Sequence, residues 1–145
     1  MGTDLKQRTD QANKVLIVDD DLTNKAILED ILHSNGYETR YASDGAEGLK
    51  TIAAWQPSVI LLDLVMPGLD GIGVLKELRS MDLPSRPSVI VVSMKSDEKS
   101  IVSSLSSGAD DFIVKPINEP ELVARIRAQL RINEFYREIE EDKRN

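Results

Sequence analysis

The chain has 145 residues, 41% of them apolar, which suits one ordinary domain with a single core and is too little for two packed catalytic domains. It contains no cysteine and one histidine, His33, so disulfides, thiolate nucleophiles, Cys/His zinc sites and iron–sulfur clusters are excluded, and any metal must be held by oxygen. With 18 Lys and Arg against 25 Asp and Glu, a formal charge of −7 and 4% aromatic residues, direct nucleic-acid binding is not expected.

Residues 1–12 read as a polar leader without the apolar stretch of a secretory signal, and runs such as Val59-Ile60-Leu61-Leu62 are far short of a membrane span. A soluble cytoplasmic protein is expected. A first strand is predicted at Val15-Leu16-Ile17-Val18, apolar throughout as in a strand buried on both faces. Helical spacing follows at Ile27, Leu28, Ile31 and Leu32, with Asp21 placed to cap the helix, Gly36 to end it and His33 on its surface. Tyr37-Glu38-Thr39-Arg40-Tyr41-Ala42 alternates and carries charge, the mark of an edge strand.

Asp44 stands where a second helix needs its N-cap, with Ala46, Leu49, Ile52 and Ala53 as the apolar positions. A third strand at Val59–Leu62 leads to a helix carrying Ile72, Leu75 and Leu78, then to a fourth strand, Val89-Ile90-Val91-Val92. Asp97 caps a fourth helix with Ile101, Val102 and Leu105, closed by Gly108; its run of serines between Ser100 and Ser107 makes it marginal. The weaker fifth strand is Phe112-Ile113-Val114. From Glu119 to about Asp142 one helix runs on for roughly 36 Å, longer than a small sheet needs. Leu122, Val123, Ile126 and Leu130 face the sheet, while Ala128, Ile132, Phe135 and Ile139 form a second stripe at coiled-coil spacing. The reading divides the chain into a leader, a domain at 13–130 and a helical extension at 131–145 able to pair with a second copy.

Strand and helix alternate five times, which implies a parallel sheet covered on both faces. Right-handed crossovers and the polarity of the strands give the order 2-1-3-4-5, a doubly wound, flavodoxin-like three-layer α/β sandwich. Ligands in such sheets bind beyond the carboxyl ends of the strands, where the order reverses between strands one and three. Asp19, Asp20 and Asp21 end the first strand, Asp63 the third, Ser93 the fourth and Lys115 the fifth. Carboxylates gathered on one edge repel one another unless a cation neutralises them, and oxygen ligands alone suit Mg²⁺ or a similar hard ion such as Mn²⁺. A carboxylate beside such an ion and an ammonium suits phosphoryl transfer, with Asp63 as nucleophile giving an acyl phosphate. Lys115-Pro116 reads as a tight turn, with either peptide isomer open to it. Taken singly, Ser93 fits a strand-end hydrogen bond and Asp21 a helix cap.

Val-Leu-Ile-Val-Asp-Asp-Asp (15–21), Leu-Leu-Asp-Leu-Val-Met-Pro-Gly-Leu-Asp-Gly (61–71) and Gly-Ala-Asp-Asp-Phe-Ile-Val-Lys-Pro (108–116), with Ser93 between the last two, resemble the receiver domain of two-component response regulators over about residues 13–130. The resemblance implies that Asp63 accepts a phosphoryl group from the phosphohistidine of a sensor kinase or phosphotransfer protein. It implies that Asp20 and the Val65 carbonyl ligate Mg²⁺, with Asp19 acting mainly through water, and that Lys115 pairs with the phosphoryl oxygens. Ser93 resembles the switch hydroxyl and Phe112 the aromatic that turns inward. The extended last helix resembles that of regulators in which it leads to an output enzyme, such as a diguanylate cyclase, a cyclic-dinucleotide phosphodiesterase or a phosphatase.

Met94 departs from the small residue usual after the switch hydroxyl, which predicts slower phosphorylation by small donors. Lys95 and Val65 flank the same site, and Phe112 lacks a tyrosine's hydroxyl. Two other readings stand beside the receiver: a phosphate-independent interaction module of the same fold, and an aspartyl phosphatase of haloacid-dehalogenase type. The latter wants an acid two residues after the nucleophile, where this chain has Val65. A flavin-type cofactor binder is disfavoured, because the turn Asp-Asp-Asp-Leu-Thr-Asn-Lys (19–25) is acidic where a phosphate cradle offers glycines.

Overall fold

The computed structural model describes residues 13–66 and 68–144, with the side chains at 137 and beyond 139 outside the described set. The leader predicted at 1–12 lies outside the described residues. Ten elements alternate: β1 (Lys14–Val18), α1 (Leu22–Ser34), β2 (Glu38–Ala42), α2 (Gly45–Trp55), β3 (Val59–Leu62), α3 (Gly71–Ser80), β4 (Ser88–Ser93), α4 (Glu98–Ser106), β5 (Asp111–Val114) and α5 (Glu119–Arg144). All strand pairs are parallel and the order is β2-β1-β3-β4-β5, as the sequence predicts.

Side-chain alternation along the strands divides the core in two. Leu16, Val18, Ile60, Leu62, Val89 and Val91 pack with Ile52, Val74, Leu75 and Leu78 from α2 and α3. Val15, Ile17, Val59, Leu61, Ile90, Val92 and Ile113 pack with Leu28, Leu32, Leu122 and Ile126 from α1 and α5. Asp21, Asp44, Asp70 and Asp97 cap the first four helices, each side chain accepting a backbone N–H of the first turn.

Two helices turn their faces differently from the prediction. In α2 the buried positions are Gly45, Gly48, Ile52 and Trp55, whereas Ala46 and Ala53 are exposed. A Cβ on Gly48 would stand 3.1 Å from a Val18 methyl and one on Gly45 2.6 Å from a Val74 methyl, so absent side chains let this helix close on its neighbours. In α4 Val102 and Leu105 are exposed, and the one buried residue is Ser104, its hydroxyl donating to the Ser100 carbonyl. Ile27 of α1 is likewise exposed.

The amino-terminal edge of the sheet is tied by side chains. Arg79, at the end of α3, donates through Nε and Nη2 to the Gly108 carbonyl, through Nη1 to the Pro87 carbonyl and through Nη2 to Asp110. Asp110 also accepts from Arg86 and from the Val89 N–H. On α5, Asn133 accepts from the Ser88 hydroxyl and donates to the Ser58 carbonyl, so the helix stays attached to the sheet past Leu130. Ile132, Phe135 and Tyr136 beside it are exposed. Trp55, nearly buried, lies under Lys14 and Arg40, whose charged groups stand 5.5 and 4.9 Å from its ring.

Candidate functional site

The chain leaves β1 at Asp19 and β3 at Asp63, the adjacent strands at which the order reverses. Backbone pairing runs on beyond the strands: Asp19 N–H donates to the Ala42 carbonyl at 3.2 Å and Asp63 N–H to the Val18 carbonyl at 2.9 Å. Ile17, Leu61 and Ile113 face α1 and α5, and two residues further along the same alternation stand Asp19, Asp63 and Lys115. Their convergence follows from three strand ends in register.

Lys115 Nζ donates to Asp19 Oδ2 at 3.2 Å and lies 3.7 Å from Asp63 Oδ2. Asp19 and Asp63 are both buried, while Asp20 is exposed. Asp19 is held further by the Asp21 N–H on Oδ1 at 2.9 Å and by Asn24 Nδ2 on Oδ2 at 3.4 Å. The Val65 N–H donates to Asp63 Oδ1 at 3.3 Å. Behind Asp63 the loop turns back so closely that a Cβ on Gly71 would stand 2.6 Å from the Asp63 carbonyl oxygen, leaving room for glycine alone. Sequence reasoning passed over Asn24 and Gly71. The Gly that follows the helix cap Asp70 was the available signal for the second; the first had none.

Burial pushes the Asp63 carboxyl above the usual carboxylate range; Lys115 opposes this, Asp19 adds to it, the Val65 N–H opposes it and Asp20 adds again. The negative field reaches Tyr41 on β2, whose hydroxyl is pushed up by burial and then by Asp19, Asp20, Glu47 and Asp21. Carboxylate oxygens of Asp19, Asp20 and Asp63 lie within 4.8 Å of one another. One ammonium among three carboxylates leaves excess negative charge, and an all-oxygen donor set with one exposed member fits a hard divalent cation such as Mg²⁺.

The response regulator receiver domain family matches residues 15–127. The chain belongs to this family. It is 39% identical over 121 residues to the DNA-binding response regulator MtrA of Mycolicibacterium smegmatis, covering 83% of this chain and 52% of that protein, so the chain spans about half the length of such curated relatives. The CheY-like receiver domain protein of Methanospirillum hungatei superposes with a TM-score of 0.79 at 31% identity, covering 86% of this chain and 98% of that one. The receiver domain of Francisella response regulator 1452 gives 0.76 at 34% identity, covering 82% and 97%. As a receiver domain the chain is a phosphoacceptor signalling switch of two-component systems, a class that works by signalling rather than by turnover of a metabolite. Receivers interact with histidine kinases and use Mg²⁺ at an acidic pocket.

Elsewhere on this receiver, Ser93 is buried at the end of β4, its Oγ accepting the Lys95 N–H at 3.2 Å, and its carbonyl accepts the Lys115 N–H. Phe112 packs half-buried against the α2–α3 side of the core. Met94, which follows Ser93 in the chain, is 78% exposed, and Val65, two residues after Asp63, is 56% exposed. The Lys115–Pro116 peptide is cis. His33 bonds to Thr39 on the surface, away from the site. No described helix is long and apolar enough to cross a membrane.

Proposed function

We propose that Asp63 is the phosphoacceptor of this receiver. The observation that carries the reading is the convergence of its buried carboxylate with Asp19, Asp20 and Lys115 at one edge of the sheet. An Asp63 oxygen bonds to phosphorus as the bond to the donor breaks; a phosphohistidine imidazole leaves neutral after gaining one proton, and acetate leaves acetyl phosphate as the anion. Lys115 meets the phosphoryl oxygens, and the Val65 N–H orients the attacking carboxylate by holding its other oxygen. Asp20, Asp63 and the Val65 carbonyl would hold Mg²⁺ or Mn²⁺, and Asp19 would act on it mainly through water. The bound ion supplies charge neutralisation at the phosphoryl oxygens.

The new dianion then draws the Ser93 hydroxyl, Phe112 turns into the space released, and the balance between two arrangements shifts. The domain at 13–130 takes its phosphoryl group from a sensor histidine kinase or phosphotransfer protein in the cytoplasm, catalysing at most its own phosphorylation and dephosphorylation. It signals through the extension at 131–145 to an output domain or by homodimerisation; the length of relatives such as MtrA and the exposed Ile132 and Phe135 support this. With a net charge of −7 on the whole chain, it does not itself contact nucleic acid. Intact mass after incubation with Mg²⁺ and acetyl phosphate tests the assignment. One phosphoryl adduct is expected in the parent and none in Asp63→Asn or without metal; an adduct that survives Asp63→Asn would overturn it.

A further inference from the structure

The geometry points to Asn24 as the residue that takes over Asp19 when Lys115 turns to the phosphoryl group, an inference that rests on the assignment of Asp63 above. Two donors address one atom, for Lys115 Nζ stands 3.2 Å and Asn24 Nδ2 3.4 Å from Asp19 Oδ2. The other oxygen is already taken by the Asp21 N–H. The same ammonium also stands 3.7 Å from Asp63 Oδ2, so it serves two carboxylates at once.

Transfer of a phosphoryl group adds about two negative charges and three acceptor oxygens at Asp63, and the ammonium beside it is drawn to them. Asp19, whose side chain is 3% exposed, then loses the one charged side chain paired with it among the described residues and is left to face the metal through water, and a buried carboxylate short of direct donors is costly. Asn24 sits in the first turn of α1, which Asp21 caps, and its amide is already on the oxygen that Lys115 vacates. Its separation is long for an amide–carboxylate bond, as suits a donor sharing its acceptor, and shortens once the ammonium leaves. An interaction that strengthens only as charge builds on the phosphoryl group lowers the barrier. Asn24 is thus a positioning residue, acting through Asp19 without touching the phosphoryl group.

The test measures the initial rate of adduct formation with acetyl phosphate at saturating Mg²⁺ for the parent, Asn24→Ala and Asn24→Gln, and repeats Asn24→Ala in a Lys115→Ala background. Mg²⁺ affinity without donor and the thermal midpoint are measured on the same proteins. Asn24→Ala is expected to slow labelling about tenfold, the scale of one hydrogen bond to a charged group, and Asn24→Gln to recover most of it. In the Lys115→Ala background the penalty is expected to shrink below about twofold, because no ammonium moves. Mg²⁺ affinity changes little, since Lys115 still holds Asp19 before transfer. An equal loss in both backgrounds, no loss at all, or a loss matched by weaker Mg²⁺ binding or a lower midpoint overturns the inference. A parent that takes no adduct at Asp63 removes the assignment itself and the inference with it, an outcome distinct from a labelled parent and an equally fast variant.

Discussion

The surroundings of Asp63 disfavour its ionised form. Burial raises its pKa first, and the two neighbouring aspartates add to this against Lys115 and the Val65 N–H. In the unfolded chain an aspartate titrates near pH 4, so the folded state holds this proton more tightly and the metal-free protein loses stability as pH rises from that value through the higher folded one. Asp63→Asn removes the titration. The variant is expected to melt above the parent at neutral pH in chelator, with the difference gone below about pH 3; equal midpoints at neutral pH would sink the argument. Met94, 78% exposed, follows Ser93, the switch hydroxyl proposed above, where a smaller side chain would open the approach to Asp63. Met94→Ala is expected to label several-fold faster with acetyl phosphate (on the order of 1 kcal/mol in barrier), and a variant no faster than the parent would rule out crowding. Asp19, Asp63 and Lys115 were legible in the sequence because strand ends in a parallel sheet share one edge. Asn24 was not, because its reach back to Asp19 depends on how the turn before α1 folds.

At the scale of elements, α4 is held by its end rather than by its face. Its buried residue is a serine bonded within its own helix, while the following Gly108 and Asp110 are gripped by Arg79. Arg79→Ala leaves the Gly108 and Pro87 carbonyls without these donors and is expected to cost about 2–4 kcal/mol, read by chemical denaturation; a loss within experimental error would show that water replaces the guanidinium. Helix existence was legible from caps and apolar spacing, but which face turned inward was not always so. In α2 Gly48 lies against Val18 of the sheet and Gly45 against Val74 of α3 because small size, not hydrophobicity, allows close approach, and apolar patterning does not see a glycine as core. In α4 Val102 and Leu105 offered the pattern of a buried face, yet a nine-residue helix near the sheet margin leaves them in solvent.

The molecule as a whole sets an edge of unbalanced charge against an edge of satisfied bonds. At the carboxyl ends of the strands three carboxylates gather around one ammonium that pairs with two of them; at the amino ends the Arg79 and Asn133 networks tie the chain by hydrogen bonds. A cation that binds only the folded protein stabilises it by mass action, about 2.7 kcal/mol at a hundred times its dissociation constant. For a domain of this size that corresponds to a rise of roughly 5–10 °C in melting temperature. Mg²⁺ is expected to give such a rise in the parent and a much smaller one in Asp20→Asn, and a parent whose melting ignores Mg²⁺ would argue against the metal assignment. The order of the sheet was legible from strand polarity, whereas the polar ties at its far edge were not, since Arg79, Asp110, Ser88 and Asn133 are ordinary surface residue types until the chain folds. The lone tryptophan, Trp55, belongs to that far edge, boxed between Lys14 and Arg40. Its ultraviolet emission is therefore expected to follow that edge of the sheet and to shift colour when unfolding releases both cations, an optical gauge of the fold set at the opposite ends of the strands from Asp63.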